Sequence, residues 1–304
     1  MISNAILETL QECVPEENIH LNEPMALHTT FRVGGPADCL IEIENAEQLS
    51  KILSYLQRVE YPFTVVGNGS NLLVSDKGYQ GIVLLIGRKM SGISVEGNVI
   101  RAGAGATMAQ IAQTAYKNGL SGLEFASGIP GTIGGGVVMN AGAYGGELAQ
   151  VVREVSVLDE SGESLCLDNE TMEFGYRKSI HRKRPFIVTE VLLRAEAGDP
   201  AQIKAKMDEL AARRRQKQPL EFPSAGSTFK RPEGYFAGEL IMKAGMRGFQ
   251  VGGARVSDKH CGFVVNVGSA TAADVLDVIC EVQHKVKERF GVELEPEVVF
   301  LGEF

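Results

Sequence analysis

The chain has 304 residues, 44% of them hydrophobic and 22% charged, and a net charge of −8 at pH 7. This length allows two domains with separate cores, and the composition is that of a globular protein. The acidic balance argues against general nucleic-acid binding, because that function normally needs a basic surface.

The N-terminal segment, residues 1–18, is amphipathic and acidic and lacks the positive region and long apolar core of a signal peptide. No run of about 18 apolar residues occurs anywhere, so no membrane insertion is expected. The five cysteines are scattered without a CxxC pair, which is typical of reduced thiols in a cytoplasmic protein. The five histidines also lack metal-ligand spacing, and no metal site is predicted.

Apolar periodicity and turn signals predict a regular set of elements in the first 120 residues. Gly97-Asn98 is a strong hairpin signal, and Gly119 is a typical residue to end a helix. The elements are a helix over 46–60, a strand over 63–66, an apolar run over 81–87, a hairpin over 93–102 and a helix over 107–118.

From residue 151 the pattern changes to strands and then to helices. The strands cover 152–160, 164–168 and 185–196, the helices cover 201–218 and the stretch from Thr271 to Gly291, and a linker is predicted at 197–200. The sequence therefore predicts an α+β chain with a domain boundary near residue 198.

The segment 119–146 holds ten of the 35 glycines and one acidic residue, Glu124. Glycine lets another molecule approach the backbone closely, and the N–H groups of such loops can surround an anion. This pattern favours a phosphate-bearing cofactor. A set of tight turns between short strands remains the alternative.

Generic nucleotide motifs do not identify the cofactor. The glycines of 67–72 and 103–108 fail the sixth position of the Rossmann fingerprint, and no GxxxxGK[ST] motif occurs. Glycine-rich loops on separate structural units remain, which suit a diphosphate held between them.

Eight ordered motifs are more specific. They are TTFRVGGPA at 29–37, VGNGSNLL at 66–73, GIPGTIGG at 128–135, NAGA at 140–143, GYRKS at 175–179, SAGSTFK at 224–230, VGGA at 251–254 and LEPEV at 294–298. Together they resemble the UDP-N-acetylenolpyruvoylglucosamine reductases, also called UDP-N-acetylmuramate dehydrogenases. The resemblance covers nearly the whole chain.

This resemblance implies a vanillyl-alcohol-oxidase/PCMH-type FAD-binding fold in two lobes, 1–66 and 67–198, followed by an α+β substrate domain at 199–304. Related covalent flavoproteins often carry a histidine in the first loop, which is absent here, so non-covalent FAD is expected. The residues implied in FAD binding are Gly67, Asn68, Gly69, Ser70, Asn71, Leu72, Ala126, Gly128, Ile129, Pro130, Gly131, Gly134, Gly135, Asn140, Gly142 and Ala143.

The implied reaction is the NADPH-dependent reduction of UDP-N-acetylglucosamine enolpyruvate to UDP-N-acetylmuramate. It belongs to peptidoglycan precursor synthesis, and so to cell-wall biogenesis, cell shape and cell division. Charge builds on the α-carbon and carboxylate of the substrate, so preorganised positive charge should be the largest contribution of the protein. No obligatory protein partner is evident.

The resemblance assigns catalysis to Arg177, Ser227 and Glu297. Arg177 would bind the substrate carboxylate, Ser227 would donate a proton to the α-carbon, and Glu297 would be an acid and a partner to Arg177. Taken without the resemblance, a solvated basic run, a turn serine and a strand-end glutamate explain these residues. Glu295 is placed outside the site.

Substrate binding is predicted at Tyr176, Lys217 and Arg231. The family has a polar residue where Arg231 stands and an arginine where Val299 stands, so the phosphate contacts stay open. Only 179–184 separates the tyrosine-arginine motif from the next strand. The chain thus resembles the shorter class of the family, which lacks a tyrosine-bearing insertion.

Two other functions remain compatible with the sequence. One is another FAD-dependent sugar or lactone oxidoreductase on the same scaffold. The other is a non-catalytic nucleotide-binding protein, which would not need the three catalytic candidates together.

Overall fold

The computed structural model describes residues 2–304, which form two compact units. Unit 1 contains the residues up to Leu21, Cys39–Asn68 and Gly81–Arg214, and unit 2 contains Asn22–Asp38, Gly69–Gln80 and Arg215–Phe304. Both units therefore combine segments that are distant in sequence. The division into these units does not show where the flavin-binding region ends and the substrate-binding region begins, so the boundary near residue 198 stays a prediction.

The helices are α1 Asn4–Cys13, α2 Ala46–Arg58, α3 Met108–Lys117, α4 Ile133–Val138, α5 Pro200–Lys217, α6 Ala237–Lys243 and α7 Ala272–Phe290. The strands are β1 Ile19–Pro24, β2 Pro36–Glu42, β3 Phe63–Val66, β4 Leu72–Val74, β5 Tyr79–Leu85, β6 Ile93–Glu96, β7 Val99–Gly103, β8 Leu120–Ser121, β9 Gly142–Ala143, β10 Gly146–Glu147, β11 Val152–Leu158, β12 Ser164–Asp168, β13 Ile187–Arg194, β14 Glu196–Ala197, β15 Gln250–Val251, β16 Ala254–Val256, β17 Val264–Asn266 and β18 Val299–Leu301. Across residues 2–304, no helix combines the length and apolar character needed to cross a membrane.

An antiparallel sheet of order β12-β11-β13-β7-β6 lies in unit 1. Val155 and Val157 of β11, and Val191 and Leu193 of β13, are buried, because alternate residues of a strand point to the same face. The predicted strands and the predicted hairpin around Gly97 are confirmed.

The sheet of order β1-β2-β5-β3 lies mainly in unit 1 and contains the parallel pair β3 and β5. Asn45 caps the N-terminus of helix α2, and its side chain accepts a hydrogen bond from the Gln48 N–H. Its apolar stripe is fully buried in the core of unit 1 at Leu49, Ile52, Leu53 and Leu56. The predicted helix and strand are confirmed here.

Helix α3 begins with a capping box between Thr107 and Gln110 and is followed by Gly119, whose φ is +64°. The box satisfies backbone N–H groups that a helix otherwise leaves without partners. Because the helix starts directly after this cap, Thr107 also marks the end of the preceding loop at 104–106.

Unit 2 has its own core, built on α7 and the antiparallel sheet β15-β16-β17. Thr271 and Asp274 form a capping box, and Gly291 ends α7 with a φ of +67°. The predicted apolar stripe of this helix, including Val278 and Val282, is fully buried. A further parallel pair in unit 2 joins β18 to β4.

Alanine at Gly78 should destabilise the protein far more than alanine at Gly97. Both glycines have positive φ, +80° and +58°, which costs another residue about 1–2 kcal/mol. A Cβ at Gly78 would also overlap the carbonyl oxygen of Pro36, whereas nothing lies within 4 Å of one at Gly97. We expect about 1–3 kcal/mol of additional loss for Gly78→Ala, measured by urea unfolding. Equal losses would contradict this account.

Candidate cofactor and substrate sites

Gly67 follows β3 and has no room for a side chain. A Cβ atom there would overlap Oγ1 of Thr132 in the same unit. The first predicted flavin loop therefore begins directly against the glycine-rich segment 126–143. Gly67 and Asn68 belong to unit 1, while the remaining residues of that loop, Gly69–Leu72, belong to unit 2.

The glycine-rich segment 126–143 is held by main-chain hydrogen bonds. The N–H of Ile133 donates to the Ala106 carbonyl at 2.8 Å, and that of Gly134 to the Ala104 carbonyl at 2.9 Å. A Cβ at Gly134 would come within 3.0 Å of the Ala104 Cβ. The Gly134 N–H thus donates within the protein, and a contact of Gly134 with FAD stays a prediction.

Asn140 is fully buried and left-handed, with a φ of +44°. Its Nδ2 donates to the Gly175 carbonyl at 3.1 Å, and its Oδ1 accepts from the Ala149 N–H at 2.9 Å. The amide of this predicted FAD residue therefore joins three parts of unit 1. In this arrangement it anchors the turn that carries Arg177.

Arg177 lies at the tip of a tight turn closed by mutual hydrogen bonds between the backbones of Gly175 and Lys178, at 3.0 and 3.2 Å. Its φ is +53°, a conformation that costs a residue with a side chain about 1–2 kcal/mol. Its Nη2 donates to the Gly142 carbonyl at 3.5 Å, and its Cζ lies 5.2 Å from the ring centroid of Tyr176. The turn presents both predicted residues together.

Arg214 is a partly buried cation on α5, and it packs against the glycine-rich segment of unit 1. A Cβ at Gly128 would lie 2.9 Å from its Nη1. Its Nε is buried and, within residues 2–304, has no hydrogen-bond partner. Desolvation by burial lowers the pKa of Arg214, partly opposed by Tyr144. Because arginine stays charged, this position suits an anionic ligand.

In unit 2, the segments that carry Ser227 and Glu297 are paired. The Glu297 N–H donates to the Thr228 carbonyl at 2.8 Å, and the Lys230 N–H donates to the Glu295 carbonyl at 2.9 Å. Glu295 also forms an ion pair with Lys230. The pairing brings Ser227 and Glu297 to neighbouring positions, while Glu295 has a basic partner of its own.

Asn71 forms two further hydrogen bonds to the same segment. Its Nδ2 donates to the Glu297 carbonyl at 2.9 Å, and its own carbonyl accepts from the Val299 N–H at 2.9 Å. A residue predicted to bind FAD thus bonds to the backbone of a predicted catalytic residue.

Thr228 fixes the backbone next to Ser227. It is fully buried, its N–H donates to the Gly262 carbonyl at 2.8 Å, and its Oγ1 accepts from Val264 at 2.9 Å. His260 lies beside it and accepts from the Gly262 N–H through Nδ1 at 3.1 Å. Desolvation by burial lowers the pKa of His260; a backbone hydrogen bond partly opposes this shift, and nearby Lys217 adds to it.

Arg231 is stacked within its own loop. Its Cζ lies 4.0 Å from the ring centroid of Phe236, and its Nε donates to the Tyr235 carbonyl at 3.3 Å. Both aromatic side chains are exposed. A contact of Arg231 with a substrate diphosphate stays a prediction, as does that of Lys217, which ends α5 and is exposed.

Two family models match the chain. The model described as "FAD binding domain" matches residues 37–168, and that described as "UDP-N-acetylenolpyruvoylglucosamine reductase, C-terminal domain" matches residues 218–301. A 4-ethylphenol oxidase from Gulosibacter chungangensis has a similar fold, with a TM-score of 0.50 and 15% identity over 64% of this chain and 44% of its own. The chain therefore has an FAD-binding domain with the PCMH-type fold that the sequence predicts.

Relatives over the full length identify the family. A UDP-N-acetylenolpyruvoylglucosamine reductase of Caldanaerobacter subterraneus subsp. tengcongensis is 49% identical over 302 residues, 99% of this chain and 100% of the relative. The crystal structure of the corresponding reductase from Thermus caldophilus has a TM-score of 0.79 and 37% identity, covering 93% of this chain and 98% of that one. The chain belongs to the UDP-N-acetylenolpyruvoylglucosamine reductase family, which confirms the resemblance.

Within unit 1, two positions are compatible with the FAD that this family membership implies. Gly67 leaves no room for a side chain beside the glycine-rich segment, and Arg214 offers a partly buried charge, with a buried Nε, next to Gly128. In unit 2, the Oγ1 of Thr30 is buried and unpartnered within residues 2–304, and the Thr30 N–H donates to the Gly69 carbonyl at 3.3 Å. Polar atoms left without partners beside glycine loops suit a polar ligand.

The sequence predictions assign no role to Arg214, His260 or Thr30. Arg214 lies in a basic run at the end of a helix, and only its burial distinguishes it from exposed Arg213 and Arg215. The apolar pattern of α5 does not indicate which of these arginines is buried, because the helix has only two buried apolar residues, Ile203 and Leu210.

Proposed function

We propose that this protein reduces UDP-N-acetylglucosamine enolpyruvate to UDP-N-acetylmuramate, with NADPH as hydride donor and non-covalent FAD as carrier. The product is a precursor of peptidoglycan. The observation that carries the proposal is the hydrogen-bonded pairing of the segments of Ser227 and Glu297 in unit 2. Full-length similarity to reductases of this name supports the choice of substrate.

The proposed roles follow from the chemistry of each side chain. Ser227 is exposed next to a buried, fully bonded Thr228, so its backbone position is fixed while its hydroxyl is accessible. It would donate the proton that the α-carbon receives, a step in which geometry matters more than acidity. Glu297 would act as an acid beside it.

Arg177 would bind the carboxylate of the enolpyruvyl group. Its guanidinium fork matches a carboxylate and keeps its charge. The turn holds the residue in a left-handed conformation, and such strain persists where the surrounding structure enforces it. Asn140 does so here through the Gly175 carbonyl.

When bound, FAD supplies the two-electron carrier between NADPH and the enol ether. The chain would hold it through the glycine-rich segment, and Arg214 would supply positive charge to an anionic part of the nucleotide. Because no histidine occupies the loop 67–72, the flavin should leave the polypeptide on denaturation.

Anaerobic titration followed by visible spectroscopy tests this function. NADPH should bleach the yellow protein, and UDP-N-acetylglucosamine enolpyruvate should restore the colour with formation of the lactyl ether. Rapid reoxidation by oxygen with peroxide formation, and no response to the UDP-sugar, would instead indicate an oxidase. A colourless protein that binds uridine nucleotides without turnover would indicate a binding protein.

Arg214→Gln should weaken FAD binding about 10- to 100-fold, since a hydrogen bond to a charged group contributes about 1.5–3 kcal/mol. The measurement is FAD titration of the apoprotein by fluorescence. Arg213→Gln is the matched control, because the neighbouring Arg213 is exposed and lies over the Tyr144 ring at 4.9 Å. Equal FAD affinity of both variants would remove Arg214 from the cofactor site.

A further inference from the structure

We propose that Asn71 is a positioning residue for the reoxidation of reduced FAD by the enol ether, acting through the backbone of Glu297. Its side-chain amide would set where the Glu297 carboxyl lies relative to the segment of Ser227. The inference rests on the proposed function, since it concerns the step in which the enol ether is reduced. It differs from the sequence prediction, which placed Asn71 among the residues that hold FAD.

Both the N–H and the carbonyl of Glu297 form hydrogen bonds with residues of unit 2. Its N–H donates to the Thr228 carbonyl at 2.8 Å, and its carbonyl accepts from Asn71 Nδ2 at 2.9 Å. The peptide group before Glu297 therefore bonds to Thr228, the neighbour of Ser227, and the peptide group after Glu297 bonds to Asn71. Moving either partner would move the origin of the Glu297 side chain.

Asn71 holds this segment at two points. Besides the side-chain bond to Glu297, its own carbonyl accepts from the Val299 N–H at 2.9 Å. The parallel pairing of β4 and β18 begins directly afterwards, with Leu72 opposite Val299. Asn71 therefore fixes residues 297–299 in both position and register where β18 starts.

The bond to Glu297 requires a hydrogen-bond donor at position 71. Glu297 offers a carbonyl oxygen, which needs a donor, and the asparagine NH₂ supplies one without a charge. Aspartate has nearly the same shape, but its ionised carboxylate is an acceptor only and would repel the carbonyl. The pair Asn71→Ala and Asn71→Asp therefore removes the bond in two ways, one by truncation and one with almost unchanged volume.

A matched control exists in the same unit. Gln283 Nε2 donates to the Leu294 carbonyl at 2.8 Å, and this bond is also partly buried. It ties down the same C-terminal segment three residues before Glu297. Gln283→Ala therefore removes the same kind of hydrogen bond as Asn71→Ala. The two variants differ in the carbonyl that loses its partner, that of Leu294 in the first and that of Glu297 in the second.

The test separates the half-reactions by stopped-flow spectroscopy of the FAD-loaded enzyme. Both Asn71 variants should retain FAD and be bleached by NADPH at the wild-type rate. Reoxidation by UDP-N-acetylglucosamine enolpyruvate should slow about 10- to 100-fold, because a small misplacement of a reacting group costs rates of this order. Gln283→Ala should keep both rates while lowering the melting temperature comparably.

A double variant adds a second criterion. If Asn71 acts through Glu297, Asn71→Ala should slow reoxidation little further in a Glu297→Ala background. Equal slowing by Gln283→Ala, additive losses in the double variant, or loss of FAD from the Asn71 variants would each overturn the inference. If the UDP-sugar fails to reoxidise even the wild-type enzyme, the proposed function fails, and the inference fails with it.

Discussion

Ser227→Ala should leave the reduction of FAD by NADPH unchanged and slow its reoxidation by the UDP-sugar about 10²- to 10⁴-fold, the usual range for a lost proton donor. In the proposed reaction, the serine hydroxyl would act only when the α-carbon takes up its proton, after the flavin has been reduced. The measurement is single-turnover absorbance of the flavin in each direction. A large effect confined to the second half-reaction would support the assignment.

Ser224→Ala provides the control for this variant. Ser224 lies three positions earlier in the same motif, and no role in the reaction is assigned to it. Its removal should leave both half-reactions at wild-type rates. The assignment of Ser227 is wrong if Ser227→Ala also behaves like the wild type, or if both serine variants slow reoxidation alike.

Arg177→Gly and Arg177→Ala should both lower kcat/KM by about 10²- to 10³-fold, as when one stabilising donor is removed from a developing anion. Their stabilities should differ, because only the alanine variant keeps a Cβ at a φ of +53°. We expect the glycine variant to be about 1 kcal/mol more stable than the alanine variant. Steady-state kinetics and urea unfolding measure the two quantities.

Substitutions of Glu173 provide a control that separates the effect of backbone strain on stability from the loss of activity expected at Arg177. It lies in the same part of unit 1, is exposed and has a φ of +44°. Glu173→Gly should likewise be more stable than Glu173→Ala, while both keep full activity. If the two Arg177 variants retain activity, the arginine is a surface residue in a basic run and does not bind the carboxylate.

Elements with strong local signals could be predicted from the sequence. Helix α7 has a capping box at Thr271, an apolar stripe and a terminal glycine, and all three act within one or two turns of the chain. The hairpin of β6 and β7 likewise depends on Gly97-Asn98. The motif resemblance gave the family, the cofactor and the class of reaction.

Other features depend on partners that are distant in sequence. Nothing in residues 69–80 indicates that they join unit 2, since their parallel partner is β18. The amides of Asn71 and Asn140 bond to backbone groups of other segments, and composition gives no sign of such partners. The glycine pattern marks the segment 119–146 for a cofactor contact that stays a prediction, and part of the backbone of this segment bonds within the protein.

The distance along the chain between Asn71 and Glu297, 226 positions, bears on how the protein is made. During translation, β4 (Leu72–Val74) is synthesised long before its neighbour β18 (Val299–Leu301). The edge of β4 therefore stays unpaired until β18 has been synthesised, and it is open to chaperones or to unintended pairing during that time. Contacts of such high sequence separation also slow folding, so the segment of Glu297 would reach its final position late in folding.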